Sequence, residues 1–357
     1  MTASETAAQA ASAAVASGAV GYATSGGVDV LREADVESPE PGPGQVRIEI
    51  VRSGINPTDV KARRNLRMAI PEGRLQVPHH DGAGVIAAVG PGVSKFTPGQ
   101  RVWTHLAAHN RLDGTAQRFV TLPNDLVAPL PDNASYEVGA ALGVPFLTAH
   151  RLLTLRAGGP DELRPGALTG TTVLVAGGAG AVGNAAIQLA RWAGATILAT
   201  VSSPEKATLA TAAGAQHVID YRREDVAARV RDIVPDGVDV VVEVSPAVNL
   251  GTDLKVFATG GTLGIYANDG GADLTLAVQD GMWLNLQIGF VILYTIRASE
   301  RVAAVDAVCR ALADDAVGVG AEHGLPVHTF ALGDAAAAHT AVENGPLGKV
   351  QLLLANR

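Results

Sequence analysis

The chain has 357 residues, of which 47% are hydrophobic and 17% charged, and carries a net charge of −8. That length exceeds one comfortable core and predicts two domains, while the acidic balance argues against nucleic acid or an anionic membrane as the main partner. A single cysteine, Cys309, excludes an intramolecular disulfide and any multi-cysteine zinc site.

Residues 1–19 are rich in Ala and Ser, with Glu5 as the only charged side chain. They read as a flexible or loosely helical extension, lacking the basic and strongly apolar regions of an export signal. From about Val20, short β-like runs at 45–51, 84–89, 101–103 and 117–121 alternate with Pro/Gly turns, which predicts a compact, mainly β domain. Helical periodicity follows at 135–141 and 146–155, then a surface insertion at 157–170. From Val173 the rhythm becomes strand, helix, strand, which predicts a doubly wound parallel sheet whose last strand covers 286–293. A helix is expected over 299–313, and closing strands at 327–331 and 349–354 should rejoin the first domain. The longest apolar stretch, 283–294, contains Asn285 and Gln287 and is too short to span a bilayer, so a cytoplasmic protein with no membrane partner is expected.

The chemistry enters with the stretch after the strand at 173–175. Gly178, Gly180 and Gly183 stand as G-x-G-x-x-G, with Ala179, Ala181 and Val182 between them, and Ala185, Ala186, Ile187 and Leu189 continue as an apolar helix face. The first glycine permits a tight turn, the second lets backbone approach a pyrophosphate, and the third lets helix pack on strand. The helix start then offers free amides and a partial positive charge to phosphate. An ordinary glycine-rich turn is the alternative reading.

Several ordered blocks extend this picture: GINPTD (54–59), HDGAGVIAAVG (80–90), PGQRVW (98–103), GAALGVPFLTAHR (139–151), SSPEKATLATAAGA (202–215), GVDVVVEVSPAVNL (237–250) and LGKVQLLL (347–354). Together they make the chain from about residue 20 resemble the zinc-free medium-chain dehydrogenase/reductases of the zeta-crystallin, NADPH:quinone reductase type. The resemblance implies an α/β fold: a GroES-like β-rich catalytic domain (20–145 and 296–357) with an inserted Rossmann domain (146–295) and the cofactor in the cleft between them.

An NAD site usually carries a carboxylate about twenty residues past the loop, on the ribose hydroxyl. Here Ser202 and Ser203 follow the second strand, with Lys206 close behind. Two hydroxyls and an ammonium suit a 2′-phosphate, so NADPH is expected; helix capping by the serines is compatible with that role. By resemblance, Tyr221 lies near the same phosphate, Thr148 contacts the nicotinamide end, and Ile265, Tyr266, Ala267 and Val291, Ile292, Leu293 flank the nicotinamide. Lys349 would reach the cofactor across the cleft or remain solvated.

The zinc-dependent relatives place cysteine in the block where this chain has Asn56, and His80 occupies one of their ligand positions. A catalytic zinc needs three protein ligands, so no metal is expected and His79 and His80 read as a turn near the cleft. Without a Lewis acid the acceptor must already be electrophilic, as a quinone or conjugated carbonyl is. Asn56 would orient the acceptor carbonyl or the nicotinamide ribose, with an Asx-turn before Pro57 as its alternative. Relatives often carry Tyr where this chain has Lys61, and Gly where it has Ala267. Lys61 and Arg63 could form a cationic edge for the acceptor, solvated surface charge being the competing explanation. A homodimer is expected across the outer strand at 286–293. Reduction of a conjugated C=C bond is the rival activity, and a non-catalytic NADPH- or RNA-binding crystallin-like role is the rival from another class.

Overall fold

The computed structural model describes residues 15–65 and 68–355. In chain order the elements are β1 (Val15–Gly21), β2 (Arg32–Ser38), β3 (Gln45–Ile55), α1 (Pro57–Arg64), β4 (Asp81–Val89), β5 (Arg101–Thr104), β6 (Phe119–Pro123), β7 (Val127–Pro129) and α2 (Tyr136–Leu153). There follow β8 (Thr172–Val175), α3 (Ala181–Trp192), β9 (Thr196–Val201), α4 (Pro204–Ala213), β10 (His217–Asp220), α5 (Val226–Ile233), β11 (Val238–Glu243), α6 (Pro246–Val256), β12 (Phe257–Ile265), α7 (Val278–Leu284) and β13 (Gln287–Phe290). The chain closes with α8 (Ala298–Ala313), β14 (Val327–Ala331), α9 (Ala335–Glu343) and β15 (Lys349–Leu353).

Two large sheets carry the fold. One is parallel throughout, in the order β10-β9-β8-β11-β12-β13. Counted from β8 this is the 3-2-1-4-5-6 order of a doubly wound dinucleotide-binding sheet, whose direction reverses between β8 and β11. Its strands are near-continuous apolar runs because helices cover both faces. Val173 and Val175 face one cluster and Leu174 the other. The second sheet runs β14-β15-β3-β4-β5-β7, with β6 also paired to β3. Strand β15 lies antiparallel to β3, so residues 349–353 complete the sheet begun by β3, while β1 and β2 form a two-stranded sheet of their own.

Helix α2 joins the sheets. Its apolar residues share one cluster with Trp103 and Leu130 on one side and with Val173, Val175, Val240 and Val242 on the other. The two helical stretches expected at 135–141 and 146–155 are one helix, unbroken across the expected boundary at 145/146. Pro145 lies inside it with no N–H to donate. The N–H of Val144 just before it donates to Asp81 Oδ1 at 2.9 Å, which ties the helix to the start of β4.

Two expectations need correction. Residues 15–19, read as part of a loose extension, begin β1, which pairs antiparallel with β2 and buries Ser17, Ala19 and Val20; residues 1–14 lie outside the described residues. Small residues give no local β signal, and it is the partner strand that orders them. The outer parallel strand is β13, four residues rather than the expected 286–293. Beyond it Val291 N–H still donates to the Ile265 carbonyl at 2.8 Å before a short 3-10 turn at Leu293–Thr295 takes the chain away.

Candidate active site

The phosphate end lies at the switch point of the parallel sheet. A Cβ on Gly178 would come within 2.8 Å of Ala199 Cβ, and one on Gly183 would collide with the Gly177 carbonyl, so both glycines are required by packing. Gly180 differs: its nearest atom would be 3.4 Å away, and it is the exposed residue that caps α3. The sequence therefore leaves one open backbone position at the start of a helix between two closed ones, which is the cradle a pyrophosphate needs. Ala179 is buried while Ala181 and Val182 are half-buried, and Ala181 packs beside Ala141 of α2.

The second strand, β9, ends at the residues expected to meet the adenosine end. Ser203 caps α4, accepting from the Lys206 N–H at 3.3 Å, and Pro204 begins the helix with its fixed φ. Lys206 Nζ donates to Ser202 Oγ at 2.9 Å. Two hydroxyls, an ammonium and a helix N-terminus thus converge, and the exposed Tyr221, directly after β10, donates its N–H to the Val201 carbonyl at 3.1 Å. Ile265 ends β12 and Tyr266 and Ala267 follow it, while Val291, Ile292 and Leu293 follow β13, so strand pairing sets the two segments side by side. Thr148 is buried within α2.

The reacting end is made by other means. Asn56 precedes Pro57 at the start of α1, and Asp59 accepts from the Asn56 N–H at 2.8 Å, closing the first turn. The Asn56 side chain is then locked at both ends: Nδ2 donates to Asp81 Oδ2 at 2.7 Å and Oδ1 accepts from Lys349 Nζ at 2.6 Å. Lys349 also lies 3.5 Å from Asp81 Oδ2, and both side chains are almost wholly buried. Burial raises the Asp81 pKa and lowers that of Lys349, and their mutual attraction opposes both shifts. Gly54 and Gly143 permit this assembly, since a Cβ on Gly54 would strike the Ala140 carbonyl and one on Gly143 would strike Asp81 itself.

Beneath the lock runs a directed chain of hydrogen bonds. Arg63 can only donate, here to His339 Nδ1 at 3.0 Å, and the Asp81 carbonyl can only accept, here from Thr115 at 2.6 Å. The links between are His339 Nε2 to His79 Nε2 at 2.9 Å, His79 Nδ1 to Ser53 at 2.8 Å and Ser53 to Thr115 at 2.7 Å. With both ends fixed, every intermediate proton is fixed too: His339 carries its proton on Nε2, His79 on Nδ1, and both rings are neutral. Burial lowers both imidazole pKa values, that of His339 to about 4. Arg63 also pairs with Glu343 of α9.

In front of the lock lies a cavity of about 190 Å³ lined by Thr58, Asp59, Lys61, His80, His109 and Tyr294, among others. Burial pushes Asp59 up to about 7 and His80 down to about 4. Tyr294 crosses from the parallel-sheet side, its hydroxyl 2.7 Å from Thr58 Oγ1 and its ring stacked on His109 with centroids 4.8 Å apart.

Several expected roles shift accordingly. Arg63 is fully buried under α9, so it is no part of a cationic rim; Lys61 alone of the pair is exposed and lines the cavity. Lys349 is not solvated: it is buried, and Asn56 and Asp81 hold its ammonium. His79 and His80 do mark a turn, with His79 at φ 79°, but both are buried. Sequence reasoning missed Thr58, Asp59, Asp81, His109 and Tyr294. Thr58, Asp59 and Asp81 stood inside blocks already singled out, and Tyr294 directly follows an expected cofactor segment. Nothing local distinguishes His109.

Residues 42–132 match the alcohol dehydrogenase GroES-like domain, and residues 181–308 match the zinc-binding dehydrogenase domain. The chain is 34% identical to the quinone oxidoreductase of Mus musculus over 243 residues, covering 66% of this chain and 69% of that one. Among solved structures, the quinone oxidoreductase of Pseudomonas syringae superposes with a TM-score of 0.78 at 29% identity, over 95% of this chain and 100% of that one. The Escherichia coli quinone oxidoreductase complexed with NADPH gives 0.75 at 25% identity, over 94% and 100%. With a doubly wound sheet, a closed-open-closed glycine loop and a β-rich sheet completed by the chain's end, the protein belongs to the medium-chain dehydrogenase/reductase family and is akin to its quinone oxidoreductases.

Proposed function

We propose that the chain is an NADPH-dependent, zinc-independent quinone oxidoreductase. The observation that carries this reading is the open position at Gly180 joined, one strand away, to the Ser202–Ser203–Lys206 anion site. That pair of features fits a dinucleotide bearing a 2′-phosphate. NADPH, when bound, supplies the hydride. The residues of the chain hold its phosphates, set the segments at 265–267 and 291–293 along the nicotinamide end, and offer the acceptor a cavity of about 190 Å³. Support for zinc independence comes from the donor set. Asn56 spends its amide on Asp81 and Lys349, His80 Nε2 and Asp59 Oδ1 stand 3.9 Å apart, and no group of three His, Cys, Asp or Glu among the described residues is arranged to hold a metal.

An assay of NADPH oxidation tests the reading. Turnover is expected with naphthoquinone, and turnover with a 2-alkenal but no quinone would overturn it in favour of C=C reduction. The edge of β13 and the neighbouring α7 expose Met282, Trp283, Phe290 and Ile292, between 58% and 76% accessible. A contiguous apolar edge suits pairing with a second copy, and light scattering should give a dimer mass; a monomer at micromolar concentration would contradict this. The reading also places the protein in the cytoplasm. No helix among the described residues is long and apolar enough to cross a membrane, and recovery from the membrane or exported fraction of cells would count against that placement.

A further inference from the structure

We propose that the Thr58–Tyr294 hydroxyl pair is the hydrogen-bond and proton donor to the acceptor oxygen. This rests on the quinone-reductase reading above and adds to it the group that completes the reaction. Hydride addition to a quinone leaves an oxyanion, and a positioned donor at that oxygen stabilises the charge as it forms. Both residues line the cavity, and their hydroxyls lie 2.7 Å apart. They come from opposite sides of the cleft, Thr58 from the first turn of α1 and Tyr294 from the turn after β13. Two rings hold the phenol in place: His109 stacks on it with an interplanar angle of 14°, and His80 lies tilted with centroids 5.0 Å apart.

The other polar groups of the cavity are poorer donors. Neutral imidazole, the form burial imposes on His80, gives up a proton reluctantly; the Asp59 carboxyl is acidic enough to donate but is 1% exposed, with Oδ2 accepting from the Asn56 N–H and Oδ1 turned toward His80. Lys61 stands exposed at the mouth. A phenol has an ordinary pKa close to that of a hydroquinone, which matches donor to product. A hydroxyl pair can also relay, one member accepting from its neighbour while the other donates onward. The balance is simple. The acceptor takes the hydride with its electron pair from NADPH and one proton from the hydroxyl pair, leaving hydroquinone and NADP⁺, and a solvent proton restores the pair.

The test compares wild type with Tyr294→Phe, which keeps the ring and its stacking, and reads two quantities. With naphthoquinone, kcat should fall by about 100-fold, while NADPH affinity, measured by fluorescence titration, stays within twofold. Independently of turnover, 4-nitrophenolate, an oxyanion on a flat ring, should bind the NADP⁺-loaded variant about tenfold more weakly than wild type. Thr58→Val should lower kcat and Thr58→Ser should restore it. If wild type does not oxidise NADPH with quinones, the functional reading fails while the nitrophenolate ratio still decides the donor role. Unchanged nitrophenolate affinity, unchanged kcat, or a loss of NADPH affinity as large as the loss of kcat would each overturn the proposal.

Discussion

The two ends of the cleft are built on opposite principles. The proposed phosphate end comes from one continuous run, β8 through α4, in which backbone would do the recognising and glycines set how near a ligand can come. The reacting end draws Asn56, Asp81, Tyr294 and Lys349 from separate elements, and side chains do the holding. At the first, a wrong residue blocks space. At the second, a wrong residue leaves a buried charge or amide without its partner. Backbone cradles are therefore sensitive to volume, and buried polar locks to chemistry.

The largest effect should come from breaking the lock. Lys349→Met leaves Asp81 and the Asn56 carbonyl oxygen buried without their ammonium, and should cost about 3–5 kcal/mol of stability in urea unfolding. Asp81→Asn added to it should recover part of that loss. If the double variant is as unstable as the sum of the singles, the two residues do not act as a pair.

At the phosphate end the contrast between two glycines is the sharper probe. Gly183→Ala forces a methyl against the Gly177 carbonyl and should cost about 1–3 kcal/mol. Gly180→Ala meets no atom closer than 3.4 Å, so its melting temperature should match wild type. Its NADPH affinity should nevertheless fall, because the methyl stands where phosphate approaches the backbone. Equal melting losses in both variants would remove the distinction between packing and binding glycines.

The smallest effect is expected at the anion site, where the groups are partly exposed. Lys206→Ala should weaken NADPH about tenfold, roughly 1.4 kcal/mol, and leave NADH nearly unchanged in the same titration. Parallel losses for both cofactors would detach Lys206 from the 2′-phosphate.

Much of this was legible in the sequence because it is local. A glycine spacing after an apolar strand, a serine before Pro204, and strand–helix alternation each specify geometry over a few residues, and the structure keeps all of them. Arg63 and Lys349 show where that logic stops. Each looks like an ordinary surface cation in its own segment, yet each is buried among partners more than two hundred positions away, Arg63 beside His339 and Glu343 and Lys349 beside Asn56 and Asp81. Nor could β1 be read from its Ala, Gly and Ser residues, since only pairing with β2 makes them a strand.

The sequence by itself determined the doubly wound sheet, the glycine loop and the serine–lysine cluster after β9, all properties of backbone conformation and short-range spacing. Only the tertiary structure decided what lines the cavity. Burial there settles which charges are neutralised, which imidazole nitrogen bears a proton, and which hydroxyls meet across the cleft. These depend on distances between residues that the chain order does not bring together.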